Sequence, residues 1–217
     1  MNKENSDVFN YMESFKHIPL FTPEEEREKA FAMDRTKRDL TGAFYRSDSD
    51  QVLDYIEEAC ATVNENSISL EKYNAFIREH KRIRSEDKKI RGVYLFLKDL
   101  FFWKAANQLV KPYIFGHDPR KNTRLKGSNE ILENYKKLKE QMDEYTKANL
   151  RFVVFVARRC DGHGIQLLDL INEGNIGLMR AVDNFDASRG FRFSSYSYLW
   201  IKQSMERYIM NHAHTIR

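Results

Sequence analysis

The chain has 217 residues, of which 41% are hydrophobic and 31% charged, and its formal net charge is +4. This apolar content suffices for a buried core and excludes wholesale disorder, while nine Gly and four Pro are few for a loop-rich β protein. No apolar run is long enough to span a membrane, and no apolar signal segment precedes the first helix. Cys60 and Cys160 lie far apart, which favours neither a disulfide framework nor a zinc site and is typical of the cytosol.

The charge is distributed unevenly along the chain. Residues 41–75 have a net charge of −5, residues 76–126 of +9, and residues 146–217 of +4. Such asymmetry suggests a polyanionic partner. A helical insertion whose solvated faces are charged explains the same numbers, so charge alone leaves both interpretations open.

The first predicted element is a helix that begins at Thr22-Pro23-Glu24-Glu25. Thr22 can cap the helix, Pro23 suits its first position, and Glu25 completes a capping box. We expect a loop followed by short helices over 47–75. Over 76–110, basic and apolar residues occur at helical spacing. Because Pro and Gly recur over 111–127, that stretch is predicted to be a connector.

The remaining predicted elements are three helices. An apolar stripe begins at Ser128 and continues until Gly162 ends it, which predicts one helix of about 48 Å at 1.5 Å per residue. Further helices are expected over 167–184 and from 194 to about 212. No alternating strand pattern occurs, so the predicted fold class is all-α.

The C-terminal third combines aromatic and basic residues. Five of the ten residues from 191 to 200 are aromatic. On a helix one face would contain Tyr196, Trp200, Gln203 and Arg207, and the expected core face would contain Tyr198, Ile201, Met205 and Ile209. Aromatic rings can stack on unpaired bases and cations can bind phosphates, which indicates a nucleic-acid face. An aromatic helix packed in a core remains the alternative.

Several short motifs in this third occur in the order and spacing of a known family. They are Asn149-Leu150-Arg151, residues 167–179 (LLDLINEGNIGLM), residues 189–196 (RGFRFSSY) and His214-Thr215-Ile216-Arg217. Together they closely resemble conserved region 2 of the sigma-70 family of RNA polymerase sigma factors, and residues 7–30 resemble region 1.2 more loosely. The sequence of residues 206–211 (ERYIMN) is more similar to that of general-stress sigma factors than to that of housekeeping ones.

The resemblance implies a multi-helix sigma domain 2 with an inserted helical segment. Residues 1–35 would be a region 1.2-like helix packed on domain 2, residues 36–127 a variable helical insertion, and residues 128–217 region 2, with the chain ending before region 3. Gly174 and Gly177 cost about 1 kcal/mol each inside a helix, so we expect close packing against another backbone there.

The resemblance also implies a non-enzymatic, cytoplasmic, nucleoid-associated subunit without a cofactor or membrane partner. The subunit would bind the clamp coiled coil of the largest subunit of core RNA polymerase. An anti-sigma or other regulatory protein is a further partner that the resemblance allows. The subunit would recognise and help to melt the promoter minus-ten element by capturing flipped bases of the non-template strand. The implied polymerase-binding residues are Asp169, Asn172, Glu173, Asn175 and Met179.

The resemblance assigns DNA-binding roles to seventeen residues. Tyr196 would replace the flipped adenine in the base stack, with Phe185, Asp186 and Arg189 in its pocket and Phe191 and Phe193 in support. The later thymine and nearby strand would meet Asn149, Phe152, Ser194 and Ser195. The upstream duplex edge would meet Gln203, Glu206 and Arg207, and phosphates would meet Arg192 and Lys202. Leu199-Trp200 stands where the family usually has two tryptophans, so melting is expected to be weaker unless Tyr198 compensates.

Two other classes of protein remain open from the sequence. One is a polymerase-binding module that does not specify promoters. The other is a helical nucleic-acid enzyme, against which the lack of a catalytic triad, P-loop or ligand cluster speaks. His212 and His214 lie two positions apart on different helical faces, and no third ligand is apparent, so no metal site is predicted.

Overall fold

The computed structural model of the chain describes residues 3–47, 49–61, 70–99, 106–107, 109–110, 128–160, 162 and 164–212. Within these ranges there is no strand, which confirms the predicted all-α class. The helices are α1 (Lys3–Ser14), α2 (Pro23–Ser47), α3 (Ser49–Ala61), α4 (Leu70–Arg82), α5 (Glu86–Asp99), α6 (Ser128–Ala148), α7 (Leu150–Cys160), α8 (Leu167–Asn184) and α9 (Phe193–His212), with a 3₁₀ turn at Ala187–Arg189.

The chain divides into two compact units. The first unit comprises Met1–Phe31 and Gln141–Arg217, and the second comprises Ala32–Glu140. All residues that the sequence assigns to polymerase or DNA binding fall in the first unit. No helix of the described ranges is both long and apolar enough to cross a lipid bilayer.

The predicted start of α2 is confirmed in detail. The Thr22 N–H donates to Glu25 Oε2 at 2.8 Å, and the Glu25 N–H donates to Thr22 Oγ1 at 3.2 Å. These two bonds form the reciprocal capping box, and the bonds to Thr22 lower the pKa of the Glu25 carboxyl. The helix then continues to Ser47.

The single long helix predicted from Ser128 is wrong, because it is interrupted at Asn149. The Asn149 N–H bonds to the Thr146 carbonyl at 3.0 Å, while its side-chain Nδ2 donates to the Tyr145 carbonyl at 2.8 Å. The amide side chain thereby takes the acceptor that the helical backbone would use, and α6 ends before α7 begins. By contrast, α8 occupies the predicted range, and α9 begins one residue earlier than expected.

The second unit has a core of its own from α2, α3, α5 and α6. Its fully buried side chains include Leu40, Phe44, Ile56, Leu97 and Ile131. His80 is buried beside Tyr45, and the Tyr45 hydroxyl lies 3.1 Å from Nε2 of His80. Burial lowers the pKa of the His80 imidazole. The connector predicted over 111–127 lies outside the described residues.

In the first unit, α8 and α9 pack with very close backbones. A Cβ on Gly177 would lie 2.6 Å from the Trp200 carbonyl oxygen and 2.9 Å from the Ile201 Cα. A Cβ on Gly174 would lie 2.7 Å from Cγ1 of Val153. The predicted close packing against a backbone is thus confirmed for Gly177, while at Gly174 the neighbours are side chains.

The buried face of α9 differs in part from the one predicted. Ile201 and Met205 are fully buried as expected, but Tyr198 and Ile209 are only partly buried. Two serines occupy the remaining core positions, Ser197 and Ser204. Small side chains fit there because α8 approaches α9 so closely.

Candidate nucleic-acid interface

A connected row of aromatic rings leads from the core of the first unit to the surface of α9. The buried Phe193 ring meets Tyr145 edge-on at 5.0 Å and Phe185 edge-on at 5.1 Å between centroids. Phe185 in turn contacts Tyr196 at 5.6 Å, and Tyr196 lies 6.2 Å from Trp200. Edge-to-face pairs add about 0.5–1.5 kcal/mol each, so the surface rings are held by rings anchored inside.

Tyr196 is oriented by hydrogen bonding as well as by packing. Its hydroxyl donates to the Asn184 carbonyl at 3.3 Å, at the end of α8. The side chain is half-buried, and desolvation raises the pKa of the phenol above its ordinary value. The ring is therefore neutral at physiological pH and fixed in position, as a platform for stacking requires.

The N-terminus of α9 is held by Glu26, a residue of α2 that is 8% exposed. The Glu26 carboxylate accepts the Phe193 N–H at 2.9 Å and the Arg192 Nε–H at 3.2 Å. The Tyr145 hydroxyl donates to the Glu26 backbone carbonyl at 3.3 Å. A carboxylate at a helix N-terminus satisfies an unpaired N–H and is favoured by the helix dipole, so Glu26 fixes where α9 starts.

Glu26 is the functional residue that the sequence interpretation missed. It is the last of three consecutive glutamates at the start of α2. The one available signal is its spacing to Ala30 and Met33, which places it on the buried face of the helix. Its partners, Arg192 and Phe193, lie more than 160 positions away in the sequence, so no local pattern indicates them.

The loop between α8 and α9 is organised by Asp186. Its Oδ1 accepts the Ser188 N–H at 3.0 Å and the Ser188 hydroxyl at 2.6 Å, and the Arg189 Nε lies 3.7 Å from its Oδ2. Gly190, with φ of +76°, ends the 3₁₀ turn in the left-handed region that favours glycine. Phe191 follows with 71% of its surface exposed.

A cavity of about 240 Å³ lies between this loop and the start of α2. Its lining combines two rings with charged groups of both signs: Phe185, Phe191, Arg27, Arg192, Glu24 and Glu26. Rings and guanidinium groups bind planar aromatic groups, so the cavity is chemically suited to a nucleobase.

The predicted DNA-binding residues further along α9 lie near the surface. Ser195, Leu199, Gln203 and Arg207 are exposed, and Lys202 pairs with Glu206 at 3.5 Å. Ser194 is partly buried. The structure thus separates the predicted set into buried supports, Phe185 and Phe193, and residues that a ligand can reach.

Asn149 and Phe152 lie on a different element, at the start of α7. The side-chain nitrogen of Asn149 donates to the Tyr145 carbonyl. The side-chain oxygen of Asn149 is therefore the atom that could accept a hydrogen bond from DNA. The Phe152 ring stacks on Phe155 with centroids 6.1 Å apart.

The predicted polymerase-binding residues divide into an exposed and an internally bonded group on α8. Asp169, Asn172 and Met179 are exposed, and Ile176 between them is 38% exposed. Glu173 accepts the Ser204 hydroxyl at 2.9 Å, and Asn175 donates to the Tyr11 hydroxyl at 3.0 Å. The outward face is therefore acidic at one end and apolar at the other.

Metal and thiol chemistry have little support in the described part of the chain. No three His, Cys, Asp or Glu side chains are grouped there as ligands of an ion. Cys160 is partly buried, and its burial raises the pKa of the thiol, which disfavours the reactive thiolate.

Comparison with known proteins agrees with this geometry. Residues 146–215 match the family profile described as Sigma-70 region 2. The chain is 45% identical over 130 residues to the RNA polymerase sigma factor RpoD of Helicobacter pylori (strain ATCC 700392 / 26695), covering 58% of this chain and 18% of that protein. It is 59% identical over 71 residues to the RNA polymerase sigma factor SigA4 of Synechococcus elongatus (strain ATCC 33912 / PCC 7942 / FACHB-805), covering 33% of this chain and 23% of that protein.

The chain thus spans less than a quarter of the length of these curated relatives. The matched region contains α7, α8, the loop and α9, which are the elements that build the aromatic and basic face. Over residues 146–215 the chain is therefore similar to region 2 of the sigma-70 family of RNA polymerase sigma factors.

Proposed function

We propose that the chain binds core RNA polymerase and recognises the promoter minus-ten element as unpaired non-template strand, thereby directing transcription initiation without itself being an enzyme. The observation that supports this most is the fixed, neutral Tyr196 ring at the end of a row of rings that begins in the core. The names of the relatives support the coarser role of a sigma factor.

The proposed DNA site follows from the energetics of base flipping. Extruding a base costs a few kcal/mol, which stacking on an aromatic ring, worth about 1–3 kcal/mol per base, can offset. Tyr196 fills the vacated place in the stack, and the cavity beside Phe185 receives a base. Arg189 helps to form the pocket of the flipped base. Arg192 and Lys202 bind phosphates, which position the strand without specifying its sequence.

The proposed polymerase site is the outward face of α8. Asp169 and Asn172 offer acceptors to a basic partner, and Ile176 and Met179 offer apolar area beside them. We propose that this face binds the clamp coiled coil of the largest subunit. Glu173 lies at the edge of this face, where its carboxylate accepts the Ser204 hydroxyl and so fixes α8 against α9. The protein acts in the cytoplasm wherever the polymerase binds promoters.

Two variants separate the sites. Tyr196→Ala is expected to reduce binding of a single-stranded TATAAT oligonucleotide by at least tenfold, with binding to core polymerase unchanged. Asp169→Lys is expected to weaken binding to core polymerase, with the oligonucleotide affinity of the free chain unchanged. Asp169 is a cleaner choice than Glu173, because Glu173→Lys would also break the bond to Ser204.

Both affinities are measured by fluorescence anisotropy, with labelled DNA and with labelled chain. Glu28→Gln, which changes an exposed residue of α2 that the proposal assigns to neither face, is the control that should alter neither affinity. If Tyr196→Ala bound the oligonucleotide and opened promoters as well as the unchanged chain does, the proposal would fail in favour of a polymerase-binding module that does not specify promoters.

A further inference from the structure

The turn between α4 and α5 in the second unit is surrounded by cations that the proposed function does not use. Residues 83–85 alone separate the two helices, which pack through Phe76 and Phe96 with ring centroids 4.5 Å apart. The end of α4 and the start of α5 therefore lie close together. Six exposed cations of this region form the α4–α5 basic surface: Arg78, Lys81, Arg82, Arg84, Lys88 and Arg91.

The cations of the α4–α5 basic surface are not neutralised by ion pairs. Within the described ranges none of the six is in an ion pair, whereas Lys29, Arg46 and Arg192 pair with carboxylates. Arg78 and Arg82 are four residues apart on α4, a spacing at which like charges repel each other. A cluster of unpaired like charges disfavours the folded chain on its own, so it indicates an anionic partner.

The carboxylates of the same segment lie mostly toward α2. Residues 78–91 contain seven Lys and Arg but only three acids, Glu79, Glu86 and Asp87. Desolvation and the charge of Glu86 raise the pKa of the Tyr45 hydroxyl, so Glu86 lies near α2. Asp87 lines a cavity together with Arg46 of α2. The outward side of the helix pair is therefore left with an excess of positive charge.

The rings of α4 and α5 indicate which polyanion fits. They are Tyr73, Phe76, Tyr94 and Phe96, and each is buried or partly buried. Unpaired bases bind to exposed rings, whereas the phosphates of a duplex need only accessible cations. A protein partner fits less well, because the core of an interface needs apolar area. Leu95, the large apolar side chain that the described residues of these helices expose, lies more than two turns from the start of α5.

We propose that the α4–α5 basic surface binds the phosphate backbone of double-stranded DNA without reading its sequence. Four of the six cations are arginines, whose planar guanidinium groups can donate two parallel hydrogen bonds to a phosphate. Six cations at adjacent helix ends contact several phosphates, and the counterions of those phosphates are released on binding. This contact is independent of the proposed function, which assigns promoter recognition to the first unit.

The experiment measures binding of the full chain to a duplex without a minus-ten-like sequence, by fluorescence anisotropy at several salt concentrations. Arg78, Arg82 and Arg84 are changed together to Gln. We expect the affinity at about 0.1 M salt to fall about tenfold. The slope of log affinity against log salt concentration should become shallower by about two to three, because each lost phosphate contact removes about 0.9 from it.

Two matched variants keep the test specific. Lys136, Lys137 and Lys139 of α6 are also exposed, but each lies four residues from a carboxylate of the same helix. Changing these three lysines to Gln removes the same charge and should leave the slope within about half a unit of that of the unchanged chain. Changing the three arginines to Lys instead keeps the charge and should keep the slope, which a loss of folding would not allow.

The outcomes decide between the α4–α5 basic surface and its alternatives. If the arginine-to-glutamine variant bound the duplex no worse than the lysine control, these cations would be a solvated face and the proposal would be refuted. An equal loss on a single strand of the same length would refute the preference for a duplex. A loss of affinity for core polymerase with unchanged duplex binding would make the surface a protein-docking face. Tyr196→Ala should bind this duplex normally, so a failure of the proposed function remains a separate result.

Discussion

The two units of the molecule are both rich in basic residues, but they arrange their aromatic rings in opposite ways. In the second unit, exposed cations cluster at the end of α4 and the start of α5, namely Arg78, Lys81, Arg82, Arg84, Lys88 and Arg91. Among the described residues of that unit, the Phe76 ring lies 4.5 Å from Phe96 and 5.5 Å from the buried His80.

In the first unit, cations and rings share one surface. Arg189 and Arg192 lie in the segment before α9 and Lys202 lies on α9, which also contains Tyr196 and Trp200. The Tyr196 ring contacts Trp200 and is joined through Phe185 to the core. The net charge of +9 in residues 76–126 is therefore a weaker guide to the proposed recognition site than the net charge of +4 in residues 146–217. The difference teaches that cations attract a nucleic acid, whereas rings fixed by a core are what bind its bases.

The largest expected effect tests the close packing of α8 against α9 in the first unit. Gly177→Ala should destabilise it by about 2–3 kcal/mol, because the new Cβ would overlap the α9 backbone at Trp200 and Ile201. Gly92→Ala on α5 is the matched change in the second unit, where the nearest atom, on Phe76, is 3.7 Å from the new Cβ. It should stabilise by about 0.5–1 kcal/mol through helix propensity. Urea unfolding measures both, and equal shifts of the same sign would contradict the packing described for α8 and α9.

The next effect tests how Glu26 holds the N-terminus of α9. Glu26→Gln should cost about 1–2 kcal/mol, because the charge-assisted bonds to Phe193 and Arg192 weaken. It should also reduce binding of the single-stranded minus-ten oligonucleotide severalfold, since α9 starts less firmly. Glu28→Gln, an exposed change on the same helix, is the control. Thermal melts and anisotropy report the two effects, and equal behaviour of the two variants would remove the positioning role of Glu26.

The smallest effect tests the comparison of charges itself. Neutralising Arg78, Arg82 and Arg84 to Gln should change affinity for the single-stranded oligonucleotide by less than about twofold, since the proposed function assigns these cations no contact with the strand. Neutralising Arg189 and Arg192 should reduce it about tenfold, since ring and phosphate contacts act together there. Anisotropy at two salt concentrations separates long-range attraction from contact. An equal loss in both variants would show that charge alone governs binding.

Local patterns were sufficient to predict much of the fold. The capping box marked the start of α2, and the apolar periodicity marked α8 and α9, because these signals depend on neighbouring residues. The break at Asn149 was missed because its cause is a single side chain that replaces a backbone donor without disturbing the apolar stripe. The serines in the core face of α9 were missed because their burial depends on the close approach of another helix.

The candidate site was predictable as a set of residues but not as an arrangement. Tyr196 and the arginines were identified from interleaving and resemblance, and they stay predictions as DNA contacts. Glu26 was not identified, since its importance lies in contacts with residues more than 160 positions away.

The central claim, that the Tyr196 ring takes the place of a flipped adenine, is tested most directly by a double-mutant cycle. Affinities are measured for the unchanged chain and Tyr196→Ala, each bound to core polymerase. The DNA is a minus-ten duplex that is either intact or abasic at the base next to the adenine, on which a ring in the adenine's place would stack. We expect Tyr196→Ala to cost about 1–3 kcal/mol on intact DNA and close to nothing on abasic DNA. Equal losses on the two DNAs would show that the ring does not act on that base and would contradict the claim.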